Sequence, residues 1–350
     1  MPLGLYVSVP FCKTKCTYCN FASGVFSRAK YESYVDRLCG DIAGAPGVAA
    51  DQNAQFEGLA DSIYLGGGTP TVLEPEQLER IFVALRKRFR ISADSEVTVE
   101  CAPGSLNREI LEALLACGVN RISLGVQSFV DQEARAVGRL HTRDVTLADI
   151  GRLRESGIHD INIDLIAGLP HQTRESWQKS LEDVIASGVP HASVYMLEVD
   201  EDSRLGTELL AGGTRYHAHH VPDDDLIAEL YEFAGERLHA AGLKQYEISN
   251  FARRGHESRH NLKYWTRQPY FGFGVDAHSM LPPNQELEAA GINAIRFSWP
   301  DTLESFLSAG EVTRAPAHEI ISRLRALEEE FPELSSPLVG EETHPATSMR

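Results

Sequence analysis

The sequence predicts an α/β protein built on a parallel sheet, and three observations support that class. Apolar, strand-like segments alternate with amphipathic helical segments over about two hundred residues. Six strand–helix units follow one another, and several of the helical segments end at glycine. The strands are mostly apolar, as in parallel sheets that are covered by helices. Six units fit a doubly wound sheet or a barrel, and because a complete TIM barrel has eight, a partial, open barrel is also consistent.

Each predicted element follows from its own pattern. The strand segments are short and rich in Val, Ile, Leu and Tyr; they span residues 5–9, 61–70, 96–101, 121–128, 160–170 and 191–199. The helical segments place apolar residues three or four positions apart; they span residues 31–44, 74–89, 107–118, 143–157 and 174–188. In the first helix this spacing is carried by Tyr34, Val35, Leu38 and Ile42. The pattern therefore places a helix after each of the first five strands.

The pattern changes after residue 200. A polar stretch there carries His217, His219 and His220, and because no partner spacing indicates a metal site, we expect a solvated loop. A helix is predicted over residues 223–241 and a strand over residues 245–252. These elements lie beyond the last clear strand of the repeating series.

The change of pattern suggests a division of the chain into domains. We predict an α/β core over residues 1–240 and a small α+β region over residues 241–328. Residues 329–350 are rich in Pro, Ser, Thr and Glu, and we expect this tail to be disordered because it offers little apolar surface to bury.

Composition limits the classes of function. The 350 residues carry a formal net charge of -17 with a pI near 5.2, which argues against a nucleic-acid-binding protein and against a polybasic membrane anchor. No apolar run approaches the roughly 20 residues of a membrane span. The first residues lack the basic and apolar regions of a secretory signal. We therefore expect a cytoplasmic protein with no membrane span.

Polar and turn-forming residues collect where the predicted strands end. Cysteines follow the first strand, a glycine turn ends the second, and Glu100 ends the third. Gln127 ends the fourth strand, and Asp164 lies within the fifth. In doubly wound sheets and in barrels, active groups gather at the carboxyl ends of the strands. The positions therefore indicate a shared functional site.

The cysteine pattern is C-x3-C-x2-C, at Cys12, Cys16 and Cys19. A structural zinc site normally takes four ligands in paired halves, and no second half is present. A redox pair at the last two cysteines would leave the first one surplus. A cubane iron–sulfur cluster held by three thiolates would keep one iron open to a substrate or cofactor. The other cysteines, Cys39, Cys101 and Cys117, lie in apolar segments and are predicted to be small buried side chains.

This motif resembles the radical S-adenosylmethionine (SAM) superfamily, in which a glycine turn, here the "GGGTP" after the second strand, accompanies the cysteines. The resemblance implies a 4Fe–4S cluster whose fourth iron binds the amino and carboxylate groups of SAM. It also implies a partial (β/α)6 barrel, in agreement with the six units.

A closer resemblance extends to about residue 280. The segments that carry it are "YVSVPFCKTKCTYCNF", "YLGGGTPT", "NRISLGVQSF", "GRLH", "INIDLIAGLP", "YEISNFA", "HNLKYW" and "GFGVDAHS". They are similar to the oxygen-independent coproporphyrinogen III oxidase-like group. The oxidases carry a fourth cysteine where this sequence has Phe21, and "HNxxYW" is typical of the HemW-type heme chaperone branch. Both features favour the chaperone branch, and the oxidase remains the alternative.

The resemblance assigns roles to individual residues. Cys12, Cys16 and Cys19 match the cluster ligands. The positions that match SAM-contacting residues are Tyr6, Gly67, Gly68, Thr69, Glu100, Gln127, Arg139 and Asp164. The residue types suit that role, because carboxylates accept hydrogen bonds from ribose hydroxyls and an amino group, and arginine pairs with a carboxylate.

The resemblance also implies a cargo and partners: heme, a protein that accepts it, and an electron donor for the cluster. His260, in "HNLKYW", is a candidate axial ligand of heme, although a histidine that orders its own loop explains the residue as well. Whether the chain is an enzyme is left open, with porphyrinogen decarboxylation as the candidate reaction.

Two departures from the family pattern stand out. Ala102 occupies a position that is commonly asparagine, which would change a contact on the substrate side. The C-terminal extension is expected to be reduced in comparison with the helical domain that family members usually carry.

Overall fold

The structure, a computed structural model, describes residues 1–308. One eleven-stranded sheet forms the centre of this part of the chain. Its strands are Leu3–Val9 (β1), Leu59–Gly67 (β2), Arg90–Cys101 (β3), Arg121–Gln127 (β4), Asp160–Ala167 (β5), His191–Met196 (β6), Lys244–Gln245 (β7), Asn250–Ala252 (β8), Tyr270–Gly274 (β9), His278–Leu281 (β10) and Ile295–Ser298 (β11). The strand order is β11-β10-β9-β1-β2-β3-β4-β5-β6-β8-β7. The six strands predicted for the core are β1 to β6.

The seven central strands, from β9 to β6, run parallel, and antiparallel strands follow at both ends of the sheet. The two end strands, β11 and β7, do not pair with each other within residues 1–308, so the sheet stays open. This confirms the α/β class and agrees with a partial barrel. The sequence-based prediction did not include β9, a seventh parallel strand that pairs with β1.

The helices cover the sheet. They are Arg28–Ala43 (α1), Ala45–Asp51 (α2), Pro75–Arg88 (α3), Arg108–Ala116 (α4), Asp131–Ala136 (α5), Arg143–Glu155 (α6), Arg174–Ser187 (α7), Arg204–Leu210 (α8), Asp224–Ala240 (α9), Arg259–Trp265 (α10), Gln285–Ala289 (α11) and Leu303–Ser308 (α12). The first, α1, buries Tyr34, Val35, Leu38 and Ile42, which is the face that the spacing predicts.

Local sequence explains where several helices begin and end. Thr173 caps α7 by accepting from the backbone of Ser176, and Gly188 ends the helix in the left-handed conformation at φ 67°. Glu74 and Gln77 form a reciprocal cap in front of Pro75, which is favoured at the first helical position. These signals place the boundaries within a few residues of their predicted positions.

Burial follows the parallel arrangement. Strand β1 is buried at six of its seven positions, and the side chains of β2 to β6 join it in one continuous core with the inner faces of the helices. Cys101 and Cys117 are buried in this core and Cys39 is partly buried, as expected for small apolar side chains. Strands that are buried on both faces read as continuous apolar runs, which is why the sequence reveals them.

Two segments differ from their predictions. Residues 245–252 form two short antiparallel strands, β7 and β8, with a turn between them, because the polar Glu247 and Ser249 interrupt the strand-like run. The stretch expected to be a loop before residue 220 contains α8 and a short 3-10 segment, Arg215–His220. Apolar residues in "RLGTELL" supply the buried side of α8 through Leu205.

The strands after residue 240 join the same sheet as the core: β7 and β8 extend it beyond β6, and β9 to β11 extend it beyond β1. The division at residues 240 and 328 stays a prediction, and the tail over residues 329–350 lies outside the described residues. Among the helices of residues 1–308, none has the length and apolar character that crossing a membrane requires.

Candidate functional site

The three clustered cysteines lie in the irregular loop that follows β1. Backbone hydrogen bonds fix this loop from several sides: the Cys12 amide donates to the Gly24 carbonyl at 2.9 Å, and the Thr17 amide donates to the Val137 carbonyl at 3.2 Å. The Leu205 amide in turn donates to the Thr17 carbonyl at 2.8 Å. The loop's path therefore depends mainly on main-chain contacts with segments far away in sequence.

All three thiols are free. Hydroxyl groups lie near two of them, Thr69 Oγ1 at 3.9 Å from Cys12 Sγ and Ser23 Oγ at 3.9 Å from Cys19 Sγ. Burial raises the pKa of the Cys12 thiol, and the two hydroxyls partly oppose that rise. No group of three His, Cys, Asp or Glu side chains in residues 1–308 is placed to hold a single metal ion. A set of three free thiols on one loop suits a multi-iron cluster, which accepts one thiolate per iron.

The glycine turn after β2 packs directly on the cysteine loop. The Gly68 amide donates to the Val9 carbonyl at 2.8 Å, and the Thr69 amide donates to the Phe11 carbonyl at 2.8 Å. A Cβ atom on Gly68 would lie 2.6 Å from the Phe11 carbonyl oxygen, so no larger residue fits this contact. Gly67 adopts φ +98°, a left-handed conformation that glycine accepts readily. The turn thus needs glycine for backbone packing, whether or not a ligand approaches it.

A cavity of about 120 Å³ lies beside this turn. Tyr6, Gly67 and Glu100 line it together with Phe21. Three of the predicted SAM-contacting residues, from β1, β2 and β3, therefore face one space at the carboxyl end of the sheet. Phe21, the residue in place of the oxidases' fourth cysteine, is 65% exposed at the same cavity.

Glu100 is held by two donors and surrounded by low-dielectric protein. Tyr64 Oη donates to Oε1 at 2.8 Å, and the Gly67 amide donates to Oε2 at 3.2 Å. Burial, with a contribution from the charge of Asp164, raises the pKa of Glu100 to about 7. Asp164 accepts from Ser123 Oγ at 2.9 Å, and burial raises its pKa as well. The two carboxyls together make the site ready to accept donors or a cationic group.

Arg139 lies close to both carboxyls and to the cysteines. Its Nη2 donates to the Gly125 carbonyl, and its Nε is buried without a hydrogen-bond partner in residues 1–308. Gln127 is buried and has φ 69°, at a register shift in the pairing of β4 with β5. An unpartnered donor on a buried guanidinium indicates that this part of the site is built to meet an acceptor.

The predicted SAM-contacting residues do not all line one space. Thr69 and Arg139 line a third cavity of about 250 Å³, which also borders Ala102. Asp164 lines a larger second cavity, and Tyr6 lines both that one and the first. Gly68 and Gln127 line none of these three cavities. The cavities surround the sheet's carboxyl end and the cysteine loop.

The second cavity measures about 470 Å³, and side chains from each of the strands β1 to β6 contribute to its lining. Its aromatic lining includes Tyr6, Tyr64, Tyr195 and Tyr264, and Phe21 borders it too. Phe21 and Tyr6 therefore belong to both this cavity and the smaller one, which makes the two spaces neighbours.

His260 lines the second cavity from α10 and is only 2% exposed. Its Nδ1 lies 3.0 Å from Ser62 Oγ, and its Nε2 lies 3.0 Å from Tyr264 Oη. Burial and the positive charge of Lys263 lower the pKa of His260 to about 3, so the ring is neutral at physiological pH. The ring stacks on Tyr64, with 5.3 Å between ring centroids. The side chain thus joins the "HNLKYW" segment to the wall of the sheet.

One carboxylate anchors the start of α10. Glu96, on β3, accepts from the backbone amides of Arg259 and His260, each at 3.0 Å, and from Ser258 Oγ at 3.2 Å. A carboxylate at the start of a helix satisfies free amides and suits the helix dipole. Sequence reasoning missed Glu96 and Ser62, because neither belongs to a motif and only the sheet brings them to α10.

The histidine-rich segment differs from its prediction in one respect. His171, which was not expected to take part, joins it: His171 Nε2 lies 3.1 Å from His217 Nδ1, and its ring lies 4.0 Å from that of His220. The cluster stays at the surface, and its described side chains form no group that is placed to hold a single metal ion.

Comparison with known proteins identifies the family. The model of the radical SAM superfamily matches residues 6–184. A heme chaperone HemW of Lactococcus lactis is 32% identical over 330 residues, which is 94% of this chain and 80% of that protein. The chain belongs to the HemW family.

Other relatives agree. The HemW of Escherichia coli is 32% identical and covers 93% of this chain and 83% of its own length, and that of Bacillus subtilis is 35% identical and covers 79% and 70%. A solved structure of coproporphyrinogen III oxidase (HemN) from Escherichia coli, described as a radical SAM enzyme, is similar with a TM-score of 0.67 at 26% identity. It covers 84% of this chain and 71% of the oxidase. The resemblance stated from the sequence is therefore confirmed, with the oxidase as a relative.

A 4Fe–4S cluster and SAM are typical of the radical SAM superfamily to which HemW belongs. The residues present suit them. Three free thiols lie on the loop after β1, and two partly buried carboxyls and a guanidinium group line the cavities beside it. One nitrogen of that guanidinium group has no partner in residues 1–308. The donor set therefore fits the group chemically.

Proposed function

We propose that this HemW-family chain binds heme and passes it to an acceptor protein, using a radical SAM core. One observation carries the proposal beyond family membership: the cavity that His260 lines adjoins the cavity that Tyr6, Gly67 and Glu100 line. Both spaces border Phe21, the position that distinguishes this chain from the oxidases. Cargo and cofactor would thus be held side by side.

On the cofactor side, Cys12, Cys16 and Cys19 would hold the cluster as thiolates. When bound and reduced, such a cluster would supply an electron for cleavage of SAM. Glu100 and Asp164 would accept from the amino and hydroxyl donors of SAM, and Arg139 would pair with its carboxylate. The remaining predicted contacts to SAM would come from the walls and the backbone of the site, at Tyr6, Gly67, Gly68, Thr69 and Gln127.

On the cargo side, His260 would be the axial ligand of heme. A pKa near 3 keeps the imidazole neutral, which is the form that binds iron. If Nδ1 donates to Ser62, Nε2 carries the lone pair, and heme would replace the Tyr264 hydroxyl at that nitrogen. Ser62 would then orient the ring, in the way that outer hydrogen bonds commonly orient metal-binding histidines.

Aromatic side chains at the cavity support a flat, apolar cargo. Phe21, Tyr195 and Tyr264 are exposed although they are large and apolar, and all three border the cavity of about 470 Å³. Exposed apolar groups around a concave site are typical of ligand-binding surfaces. A macrocycle could pack against them with its edge inside the cavity.

A heme titration followed by absorbance tests this function. The anaerobically reconstituted chain should bind heme, and His260→Ala should shift the heme absorbance bands and weaken binding at least tenfold. Tyr264→Phe is the matched control, because it frees Nε2 while keeping the ring, and it should bind heme at least as well as the unchanged chain. Equal spectra and affinities for His260→Ala and the unchanged chain would reject the ligand assignment.

The alternative function is the oxidase reaction, in which a radical derived from SAM starts decarboxylation of porphyrinogen propionates. The similarity to the oxidase structure favours it only at the level of fold. Supplying SAM, a reductant and coproporphyrinogen III and measuring protoporphyrinogen separates the two functions, because sustained product formation would contradict the chaperone proposal. The acceptor protein, the electron donor and the cytoplasmic location stay predictions.

A further inference from the structure

The second cavity contains a buried positive charge that no role discussed so far uses. Arg121, the first residue of β4, is 3% exposed and lines this cavity. Its Nη1 donates to the His256 carbonyl at 3.1 Å. Within residues 1–308, no Asp or Glu forms an ion pair with Arg121. A buried charge without a counterion is costly, which points to a partner that arrives from outside.

The carboxylate that the strand register places beside Arg121 is already engaged. Asp160 is the register partner of Arg121 in the pairing of β4 with β5. Its Oδ1 pairs instead with His256 Nδ1. The side chain that the sheet brings beside Arg121 therefore leaves the guanidinium without a carboxylate.

A hydroxyl group without a hydrogen-bond partner in the described residues also lines this cavity. Thr98, the register partner of Arg121 on β3, is fully buried, and its hydroxyl has no hydrogen-bond partner in residues 1–308. Buried hydroxyls are nearly always hydrogen-bonded, so an unpartnered one in a cavity wall marks a place where a ligand atom can bind. Thr98 and Arg121 thus offer donors from neighbouring strands.

Several other polar side chains in the wall of the cavity already form hydrogen bonds with one another. Asn162 Nδ2 donates to Ser123, Asp164 and Ser193, and its Oδ1 lies 2.6 Å from His191 Nδ1. His191 Nε2 in turn lies 2.8 Å from Tyr246 Oη. This network engages the polar groups of Asn162 and His191, whereas the Thr98 hydroxyl has no partner in residues 1–308.

We propose that Arg121 and Thr98 form a carboxylate-binding subsite inside the curved sheet. Arginine offers two parallel N–H donors that match the two oxygens of a carboxylate, and the Thr98 hydroxyl adds a third donor. In combination with the proposed function, on which this part rests, the carboxylate is a propionate of heme. The same chemistry would also accept a free small carboxylate.

The site would fix the orientation of the cargo. Arg121 lies four positions before Gly125, which pairs with Asp164, so the subsite lies about 13 Å along the strand from the level of Asp164. A propionate bound there would place the macrocycle between the subsite and the aromatic residues at the opening. His260 lines the same cavity, so metal and carboxylate contacts are compatible in one space.

The first possible source of the carboxylate is a propionate of heme. A comparison of heme with its dimethyl ester, which lacks both carboxylates, tests this source. The reconstituted chain should bind heme about ten- to a hundredfold more tightly than the ester, as expected for a charged hydrogen-bonded pair. Arg121→Gln should remove this preference, Arg121→Lys should restore part of it, and Thr98→Val should reduce it a few-fold. Arg108→Gln is the matched control, because Arg108 is exposed on α4 and pairs only locally with Glu112.

Sodium butyrate, compared with sodium chloride at equal ionic strength, tests the second source. Butyrate should raise the midpoint of thermal unfolding of the unchanged chain, but not that of Arg121→Gln. If heme does not bind while butyrate protects in this way, the proposed function fails and the subsite stands. Heme binding with equal affinity for acid and ester, together with no protection by butyrate, would overturn the subsite and leave the proposed function intact. The comparison of acid with ester in the unchanged chain holds even if a variant at residue 121 fails to fold.

Discussion

The loop that carries the cysteines and helix α10 both border the second cavity, but different kinds of contact hold them in place. Main-chain hydrogen bonds to Gly24, Val137 and the glycine turn hold the cysteine loop. In contrast, α10 rests on the side chains of Glu96 and Ser62. The loop is therefore expected to be less sensitive than α10 to changes in the side chains of its neighbours.

This difference determines how much each sequence motif indicates on its own. A loop that is fixed by its backbone can present thiols at constant spacing in many sequences, so the spacing itself is informative. A helix that is fixed by distant side chains carries a motif whose meaning depends on residues elsewhere. Four sites, ordered by the size of the effects expected from their substitution, test that comparison.

The largest effect is expected at the thiols. Replacing Cys12, Cys16 or Cys19 with Ala, one at a time, should abolish the visible absorbance of the reconstituted cluster, because a missing thiolate leaves an iron without its protein ligand. Cys39→Ala is the control, since Cys39 is a partly buried cysteine whose thiol contacts the Arg80 carbonyl in the core. Iron that remains bound in the loop variants would contradict the ligand assignment.

The next effect tests backbone packing. Gly68→Ala should lower the free energy of unfolding by roughly 2–4 kcal/mol, because its Cβ would clash with main-chain atoms of Phe11 that cannot move aside. Gly47→Ala is the matched control: nothing lies within 4 Å of its Cβ position in α2, and alanine should stabilise the helix slightly. Urea unfolding measures both. Similar stability of the two variants would show that the turn is less tightly packed than described.

A third substitution separates stability from binding. Because the pKa of Glu100 is raised to about 7 in the folded chain, its contribution is most favourable below pH 4.5 and is lost as the pH rises through 7. Glu100→Gln should therefore stabilise the SAM-free chain at pH 8 by up to roughly 3 kcal/mol and change its stability little at pH 5. The same variant should bind SAM more weakly.

Urea unfolding at the two pH values measures the stability effect, with the exposed Glu109→Gln as control. A gain in stability that is equal at pH 5 and pH 8 would show that burial of the charge is not its cause.

The smallest effect is expected at the anchor of α10. Glu96→Gln should cost about 1–2 kcal/mol of unfolding free energy, because it weakens charge-assisted bonds to the amides of Arg259 and His260. Heme affinity should fall with it, whereas the cluster absorbance should not change. A loss of the cluster in this variant would mean that the loop and α10 are not held independently.

Much of the fold could be predicted because its strands are buried on both faces and its helices are amphipathic. These properties are local, so β1 to β6 and their helices appear in the sequence as apolar runs and as spacings. Strand β9 was missed because its two glycines mimic a turn, and only its position beside β1 identifies it as part of the sheet. The chain after residue 240 was harder to read, because its elements are short and derive their order from the core.

The residues of the candidate site fall into the same two groups: those that a local sequence pattern identifies and those that only the fold brings together. The cysteine spacing and the glycine turn pointed to their positions directly, and the structure brings Tyr6, Gly67 and Glu100 to one cavity. Glu96, Ser62 and Arg121 carried no signal, because a single charged or hydroxyl residue in a strand has many explanations. Their roles depend on contacts across more than a hundred residues of sequence, such as Ser62 with His260.

The pairing of β1 has a consequence for the order of events during synthesis. β1 lies between β2 and β9, so one of its edges waits for Tyr270–Gly274 to leave the ribosome. A nascent chain that ends before that strand already contains all three cysteines, on a loop whose supporting strand is half paired. Long-range pairing of this kind forms late. Iron should therefore be delivered to a chain that is nearly complete, and a defect in β9 would appear first as poor cluster loading.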